Sequence, residues 1–141
     1  MGKDSISGKP FSDILGPTSS LDRDAIEGLL TVETQGVGGF LKKQVEKFLI
    51  RAPQSLEQFY REMNAGDFSA ARETIHKLAG YAGMLGAKSI RVRSLEIETA
   101  LEAGNSGLAN DLKAALPVIW AATLLDYNAL IQRVEDVHPP E

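Results

Sequence analysis

The residues most suited to take part in a reaction surround one histidine in the middle of the chain. His76 is one of only two histidines, and the other, His138, lies close to the end. The segment 71–87 reads ARETIHKLAGYAGMLGA, and at about 100° per residue its apolar stripe is centred roughly 150° from His76. His76 is therefore predicted to face solvent, where a neutral imidazole nitrogen can act as a nucleophile.

Very small residues share the predicted face of His76. Ala79, Gly80 and Gly83 follow it at spacings of three, four and seven residues, which place them on one side of a helix. Each glycine inside a helix costs about 1 kcal/mol relative to alanine. We interpret the two glycines as an opening through which a partner reaches the imidazole. Tight packing between helices is the alternative, although both glycines fall on the polar side.

The sequence disfavours two other kinds of histidine chemistry. A metal site needs further ligands, but the chain has no cysteine, His138 falls in the predicted frayed end, and no second ligand follows His76 at i+4. A hydrolytic site needs a serine or cysteine nucleophile and an oxyanion hole, and no motif supplies them. An incidental surface histidine remains the alternative to a functional one at this point.

Charge gives an independent signal. Residues 68–93 contain five cations and one acid, a local balance of +4, whereas the whole chain carries −4. A basic island suits an anionic reactant or an acidic partner, and a merely solvated face is the alternative. Nucleic acid is a poor candidate, because the isoelectric point is 5.2 and this face offers few aromatic residues for stacking. The five cations are Arg72, Lys77, Lys88, Arg91 and Arg93.

Helical periodicity covers nearly all of the chain after residue 20, and no useful alternating stretch predicts a strand. Four long amphipathic helices joined by short turns predict an all-α fold, an antiparallel four-helix bundle with the first, short helix as a lid. The first predicted helix is short, is capped by Asp22 and ends before Gly36, and the second is long, starts from Gly38 and should be bent or split by Pro53. The third covers 68–85 between Asp67 and Gly86, and the fourth covers 88–103. The fifth and longest covers 108–134, with a kink at Pro117.

The length of 141 residues fits one compact domain. Residues 1–20 are rich in Gly, Ser and Pro, so we expect a flexible leader or linker there, followed by the bundle domain over 21–137 and a frayed tail over 138–141. No apolar run approaches the roughly 18 residues of a membrane span, and no signal peptide follows Met1. We therefore expect no membrane insertion and a cytoplasmic location.

The segment 76–87, HKLAGYAGMLGA, resembles the signature of histidine-containing phosphotransfer (HPt) domains. That signature has a histidine, any residue, an aliphatic residue, usually a lysine, then a glycine, with small residues and a further glycine following. Similar sequences at 21–22, 48–53, 65–67 and 95–98 extend the resemblance to about residues 21–135. The chain departs from the pattern at Ala79, where the family usually has lysine. Arg72, Lys77 and Lys88 are candidates to supply the missing charge.

The resemblance implies that His76 carries a phosphoryl group between the aspartates of receiver domains in a multistep phosphorelay. It also implies that Glu98, on the following helix, orients the imidazole, whereas a surface carboxylate without contact to His76 is the alternative. Tyr81 and Met84 flank the histidine and are candidates for a docking patch, although such residues more often pack inside. The expected partners are response-regulator receivers and a hybrid sensor histidine kinase, and the chain is expected to be a monomer.

The expected activity is that of a phosphocarrier, not of an enzyme with its own kinase activity. No glycine-rich nucleotide-binding loop is present, so an autonomous histidine kinase is disfavoured. No cofactor is expected on this chain, since Mg²⁺ would be bound by the receiver. The alternative is a four-helix adaptor or dimerisation module that is never phosphorylated and docks an acidic partner, which the departure at Ala79 keeps open.

Overall fold

A computed structural model describes residues 5–6, 9–10, 20–34 and 39–137. Its fold is all-α, as predicted, apart from one pair of two-residue strands that run antiparallel near the start. The remaining residues of the expected leader and the tail over 138–141 lie outside the described residues. The elements are β1 (Ser5–Ile6), β2 (Lys9–Pro10), α1 (Arg23–Thr34), α2 (Phe40–Asn64), α3 (Phe68–Met84), α4 (Lys88–Glu102), α5 (Ser106–Lys113) and α6 (Leu116–Val137).

Helix α1 begins at the predicted cap. Oδ1 of Asp22 accepts hydrogen bonds from the backbone N–H groups of Asp24 (3.0 Å) and Ala25 (3.4 Å), which would otherwise lack partners. The apolar side of the helix buries Ile26 and Leu30 completely. The predicted stop, Gly36, lies outside the described residues.

The residues just before α1 are fastened to the rest of the fold. Ser20, at the end of the expected leader, is buried, and its hydroxyl donates to Oδ2 of Asp126 on α6 at 2.5 Å. The backbone N–H of Asp22 donates to the Gly86 carbonyl at 2.6 Å, in the turn between α3 and α4. This segment therefore reaches both α6 and the α3–α4 turn.

Helix α2 follows its sequence pattern along its entire length. The residues predicted to form one apolar stripe are the seven that the structure buries, at spacings of three and four. Pro53 does not split the helix, which contradicts one of the two predicted outcomes. Pro53 is exposed, so water can bind the Leu49 carbonyl that the proline leaves without an amide partner. The buried seven are Leu41, Val45, Phe48, Ala52, Leu56, Phe59 and Met63.

Both ends of α3 use the predicted residues. Gly66 closes α2 in the left-handed region (φ 74°), and Oδ1 of Asp67 then accepts a hydrogen bond from the N–H of Ala70 at 3.2 Å. Gly86, also left-handed (φ 75°), ends α3 and reverses the chain into α4. The turn between the two helices is therefore only a few residues long.

The last predicted helix is two helices, and it is not the longest element. The pattern over 108–134 breaks at Ala114–Ala115 into α5 and α6, and α2 is longer than either. Pro117 is the physical reason, because it has no N–H to donate to the Lys113 carbonyl. The N–H groups of Ala114 and Ala115 instead bond three residues back, each at 3.3 Å.

An aromatic cluster joins α2, α3 and α6 in the core. The ring of Phe48 packs against Tyr81, Trp120 and Tyr127, with ring centroids 5.1, 5.8 and 5.9 Å away. The Tyr127 hydroxyl donates to the Leu85 carbonyl at 2.5 Å, and burial raises the pKa of that hydroxyl. The cluster fixes α3 against the helices behind it.

One stretch of the described residues, Ser106–Glu135, has the length and apolar composition to cross a membrane. The core helix of a water-soluble protein meets the same criterion, so this observation is weak evidence for a span. Thr123, Tyr127, Leu130 and Val134 within it are buried against the other helices.

Candidate functional site

His76 projects from the middle of α3 into solvent. Its side chain is 64% exposed, while Ile75 and Leu78 beside it are buried in the core. The helical period predicted this orientation, because the apolar residues of α3 lie on the opposite side. The imidazole is therefore accessible to a large partner.

Glu98 on α4 contacts the imidazole directly. Its Oε2 lies 2.7 Å from Nδ1 of His76, and its side chain is only 12% exposed. A carboxylate can only accept, so the shared proton belongs to Nδ1, and in the neutral ring the lone pair then lies on Nε2. The structure thus brings together the two residues that the family resemblance paired, and the contact engages Nδ1 rather than Nε2.

The contact with Glu98 belongs to an antiparallel register between α3 and α4. Arg72 pairs with Glu102 at 3.6 Å, one turn along from the His76–Glu98 contact. A step of four residues towards the start of α3 therefore matches a step of four towards the end of α4. The same edge of α4 supplies both carboxylates.

The two glycines of the predicted opening have different surroundings. Gly80 is exposed, and among the described residues no atom outside its own helix lies within 4 Å of the place where a Cβ would stand. Gly83 is half-buried, since a Cβ there would lie 3.0 Å from Cδ and 3.1 Å from Nε of Arg91. Only Gly80 leaves an open surface beside the histidine.

Ala79 does not belong to the accessible face. It is 2% exposed, so the prediction that it opens access to His76 is wrong. It lies about 60° around α3 from His76, where its methyl group is already covered by the packed side of the helix. The open surface beside the imidazole is therefore narrower than the spacing alone indicated.

The three cations predicted to support the site differ in their availability. Arg72 is engaged by Glu102, whereas Lys77 and Lys88 are exposed and form no ion pair within the described part of the chain. Lys77 follows His76 directly on α3, and Lys88 begins α4. The structure brings none of the three into contact with the imidazole of His76.

The two candidate docking residues, Tyr81 and Met84, also differ in their exposure. Met84 is 72% exposed at the end of α3. Tyr81 is half-buried, and its ring packs edge to face on Phe48, so it belongs to the core rather than to a docking patch. Met84 alone remains as an apolar surface residue on this part of α3.

Sequence reasoning counted Arg91 in the basic island but gave it no place in the site. Its spacing carried a usable signal, because Arg91 precedes Glu98 by the seven residues that separate His76 from Gly83. Two antiparallel helices in register bring both pairs opposite each other. Arg91 therefore lies on the same edge of α4 as Glu98.

The arrangement can present one nucleophilic nitrogen to an incoming group. Nδ1 is held by Glu98, the His76 side chain is largely exposed, and Gly80 leaves the neighbouring surface bare. Among the described residues no group of three or more His, Cys, Asp or Glu side chains could hold a metal ion. An exposed imidazole nitrogen of this kind can attack an electrophile that a partner delivers.

Comparison with known proteins gives one family and one fold. The sequence-family model of the Hpt domain matches residues 44–137. A rice protein whose structure was solved as that of a histidine-containing phosphotransfer protein superposes with a TM-score of 0.77 at 12% identity, over 91% of this chain and 95% of that one. No curated protein sequence matches the chain. The family match spans two thirds of the sequence and includes α3 and α4 completely.

Proposed function

Since the chain belongs to the Hpt domain family of phosphorelay and two-component signalling, we propose that His76 carries a phosphoryl group between receiver-domain aspartates. The observation that carries the proposal is the state of one side chain. The imidazole is 64% exposed, yet its Nδ1 is fixed 2.7 Å from Glu98. An incidental surface histidine has no need of a buried carboxylate behind it.

The geometry supports a direct transfer to Nε2. Its lone pair forms the nitrogen–phosphorus bond while the bond from phosphorus to the aspartyl oxygen of the receiver breaks, and the leaving carboxylate keeps that electron pair. The ring then becomes an imidazolium whose Nδ1–H points at Glu98, so the carboxylate stabilises the positive charge as it develops. Transfer to the next receiver reverses these bond changes.

Most of the catalytic work in this proposal consists of positioning. Phosphoryl transfer has a loose transition state, so an aligned nucleophile and neutralised phosphoryl oxygens lower the barrier more than any covalent step by the protein. The receiver would supply Mg²⁺, and no cofactor is assigned to this chain. The chain is then a phosphocarrier without kinase activity of its own.

We assign the remaining roles around His76 by what each residue can reach. Glu98 orients the ring, and Gly80 leaves room for the receiver. Lys77 and Lys88 attract the acidic partner over a distance without touching the imidazole, whereas Arg72 is occupied by Glu102. Met84 adds an apolar contact at the end of α3.

The fold supports a finer architecture around this site. Helices α2, α3, α4 and α6 would form the antiparallel four-helix bundle, and α1 would lie over one end as a lid. Two fully buried side chains of α1, Ile26 and Leu30, support the lid, as does the hydrogen bond from Asp22 to Gly86 at the α3–α4 turn. The domain would span 21–137, between a leader and a short tail.

The proposed partners are response-regulator receivers and a hybrid sensor kinase, met by a monomer in the cytoplasm. The test is incubation of the protein with phosphorylated receivers and Mg²⁺, followed by analysis of the phosphate bond. A label that is lost in acid and kept in alkali, and that is absent from His76→Gln, supports the carrier. Failure to acquire label from every receiver in a panel would favour the adaptor alternative.

A further inference from the structure

We infer that Arg91 is a docking residue, whose guanidinium binds a surface carboxylate of the receiver beside the phosphoryl-bearing aspartate. The inference rests on the proposed function, since it concerns the partner of the same site. It assigns to Gly83 a role different from that of Gly80. Gly80 admits the receiver, whereas Gly83 makes room for the side chain of Arg91.

The first observation is the way Arg91 lies on α3. Its Cδ and Nε stand 3.0 and 3.1 Å from the place where a Cβ of residue 83 would be. Its stem therefore crosses the bare backbone of α3, and a Cβ at residue 83 would require the stem to shift by a few tenths of an ångström. A long side chain confined in this way loses less conformational freedom when it binds a partner.

The second observation is that the charge of Arg91 is not used inside the described part of the chain. Arg93, two residues away, pairs with Glu96 at 3.1 Å and donates to the Leu112 carbonyl at 3.3 Å. Arg91 forms no ion pair with any described residue and remains exposed. Its planar guanidinium can bind a carboxylate through two parallel hydrogen bonds.

The position of Arg91 favours contact with the receiver surface over contact with the phosphoryl group. Gly83 lies about 10 Å along α3 from His76, a distance of two helical turns. Helical side chains lean towards the start of their own helix, so His76 and Arg91 lean in opposite directions on these antiparallel helices. Exposed Met84 follows Gly83 and adds an apolar contact next to the cation.

The test compares rates of phosphoryl transfer from one receiver that labels the wild-type protein. We expect Arg91→Ala to lower the second-order rate constant about fivefold at low salt and to reduce its dependence on salt. Arg93→Ala is the matched control on the same helix, and its rate should stay within about twofold of the wild type. Labelling of His76 by phosphoramidate, a small donor that needs no docking surface, should be unchanged in Arg91→Ala.

A second variant tests how Arg91 is placed. Gly83→Ala should lower the rate about twofold in the wild-type background and have no further effect in Arg91→Ala, because the methyl group acts by displacing Arg91. Wild-type rates and salt dependence in Arg91→Ala would overturn the docking role and leave the carrier function intact. Absence of labelling of the wild-type protein by every receiver would overturn both.

Discussion

Nδ1 of His76 and Oε2 of Glu98 lie 2.7 Å apart across the α3–α4 interface, although 22 residues separate them in the chain. The carboxylate is nearly buried and the imidazole is exposed, so the pair couples a fixed ring orientation to a free nitrogen. The register that aligns them also pairs Arg72 with Glu102. The pair is therefore a consequence of how the two helices dock, and several consequences can be tested.

Removing the carboxylate should slow transfer without abolishing it. We expect Glu98→Ala to lower the rate of phosphoryl transfer to His76 by roughly tenfold or more, since a hydrogen bond to a charged group contributes about 1.5–3 kcal/mol. Glu98→Gln keeps an acceptor but loses the charge, so its transfer rate should fall between those of the wild type and Glu98→Ala. The rates are measured by rapid quench with a phosphorylated receiver.

Glu96→Ala is the matched control for the carboxylate, because Glu96 lies on the same helix but pairs with Arg93. Its transfer rate should equal that of the wild type. Equal rates in Glu98→Ala and Glu96→Ala would remove the orienting role of Glu98.

Two substitutions at Gly80 should have different effects on stability and on phosphoryl transfer. No described atom outside its own helix would meet a Cβ there, so Gly80→Ala should raise the free energy of unfolding by up to about 1 kcal/mol through helix propensity alone. Gly80→Gln should fold as well but transfer poorly, because its longer side chain occupies the surface on which the receiver must sit. Urea titration and transfer rates measure the two effects.

Gly28 offers a control on α1, where a Cβ would also meet no described atom outside the helix. Gly28→Gln should change stability in the same direction as Gly80→Ala and leave transfer unaffected. A Gly80→Gln protein that transfers at the wild-type rate would show that this surface is not used.

Sequence periodicity predicted the packing of α2 and the exposure of His76, because both depend on which side of one helix is apolar. It could not predict what the two internal prolines do. Pro53 lies inside the unbroken helix α2, whereas Pro117 follows the break between α5 and α6. Both prolines are exposed, so neither the local sequence pattern nor exposure distinguishes the two outcomes.

In the candidate site, too, features that depend on the packing between helices could not be predicted from the sequence. Family resemblance pointed to Glu98, but its 2.7 Å contact with His76 depends on the docking register of α3 and α4. The burial of Ala79 and the seating of Arg91 over Gly83 also arise between helices. A helical wheel describes one helix at a time, so it assigned Ala79 to the open face and left Arg91 without a position.

The buried Tyr127 hydroxyl should contribute to stability through the Leu85 carbonyl, 2.5 Å away. Tyr127→Phe leaves that carbonyl without this partner, so we expect a loss of about 1–3 kcal/mol in the free energy of unfolding. Tyr60→Phe is the comparison, since Tyr60 is only half-buried. In the same urea titration, Tyr60→Phe should lose less free energy of unfolding than Tyr127→Phe.

The same hydroxyl predicts a pH dependence. Burial raises the pKa of Tyr127 above its usual 10.0 in the folded state, so the unfolded chain gives up this proton first as the pH rises. The contribution of Tyr127 to stability should be constant below pH 10 and fall above it, because deprotonation favours the unfolded chain. Tyr127→Phe should show a shallower decline between neutral and strongly alkaline pH. Parallel declines in the two proteins would contradict the assignment.

The central claim is that the free nitrogen of His76 carries the phosphoryl group while Glu98 fixes the other. Proton–nitrogen correlation spectra of the phosphorylated protein with ¹⁵N-labelled histidine distinguish the two ring positions directly. We predict phosphorus on Nε2 of His76 and a protonated Nδ1 with the chemical shift of a hydrogen-bonded imidazolium. Phosphorus on Nδ1, or on any residue other than His76, would contradict the account.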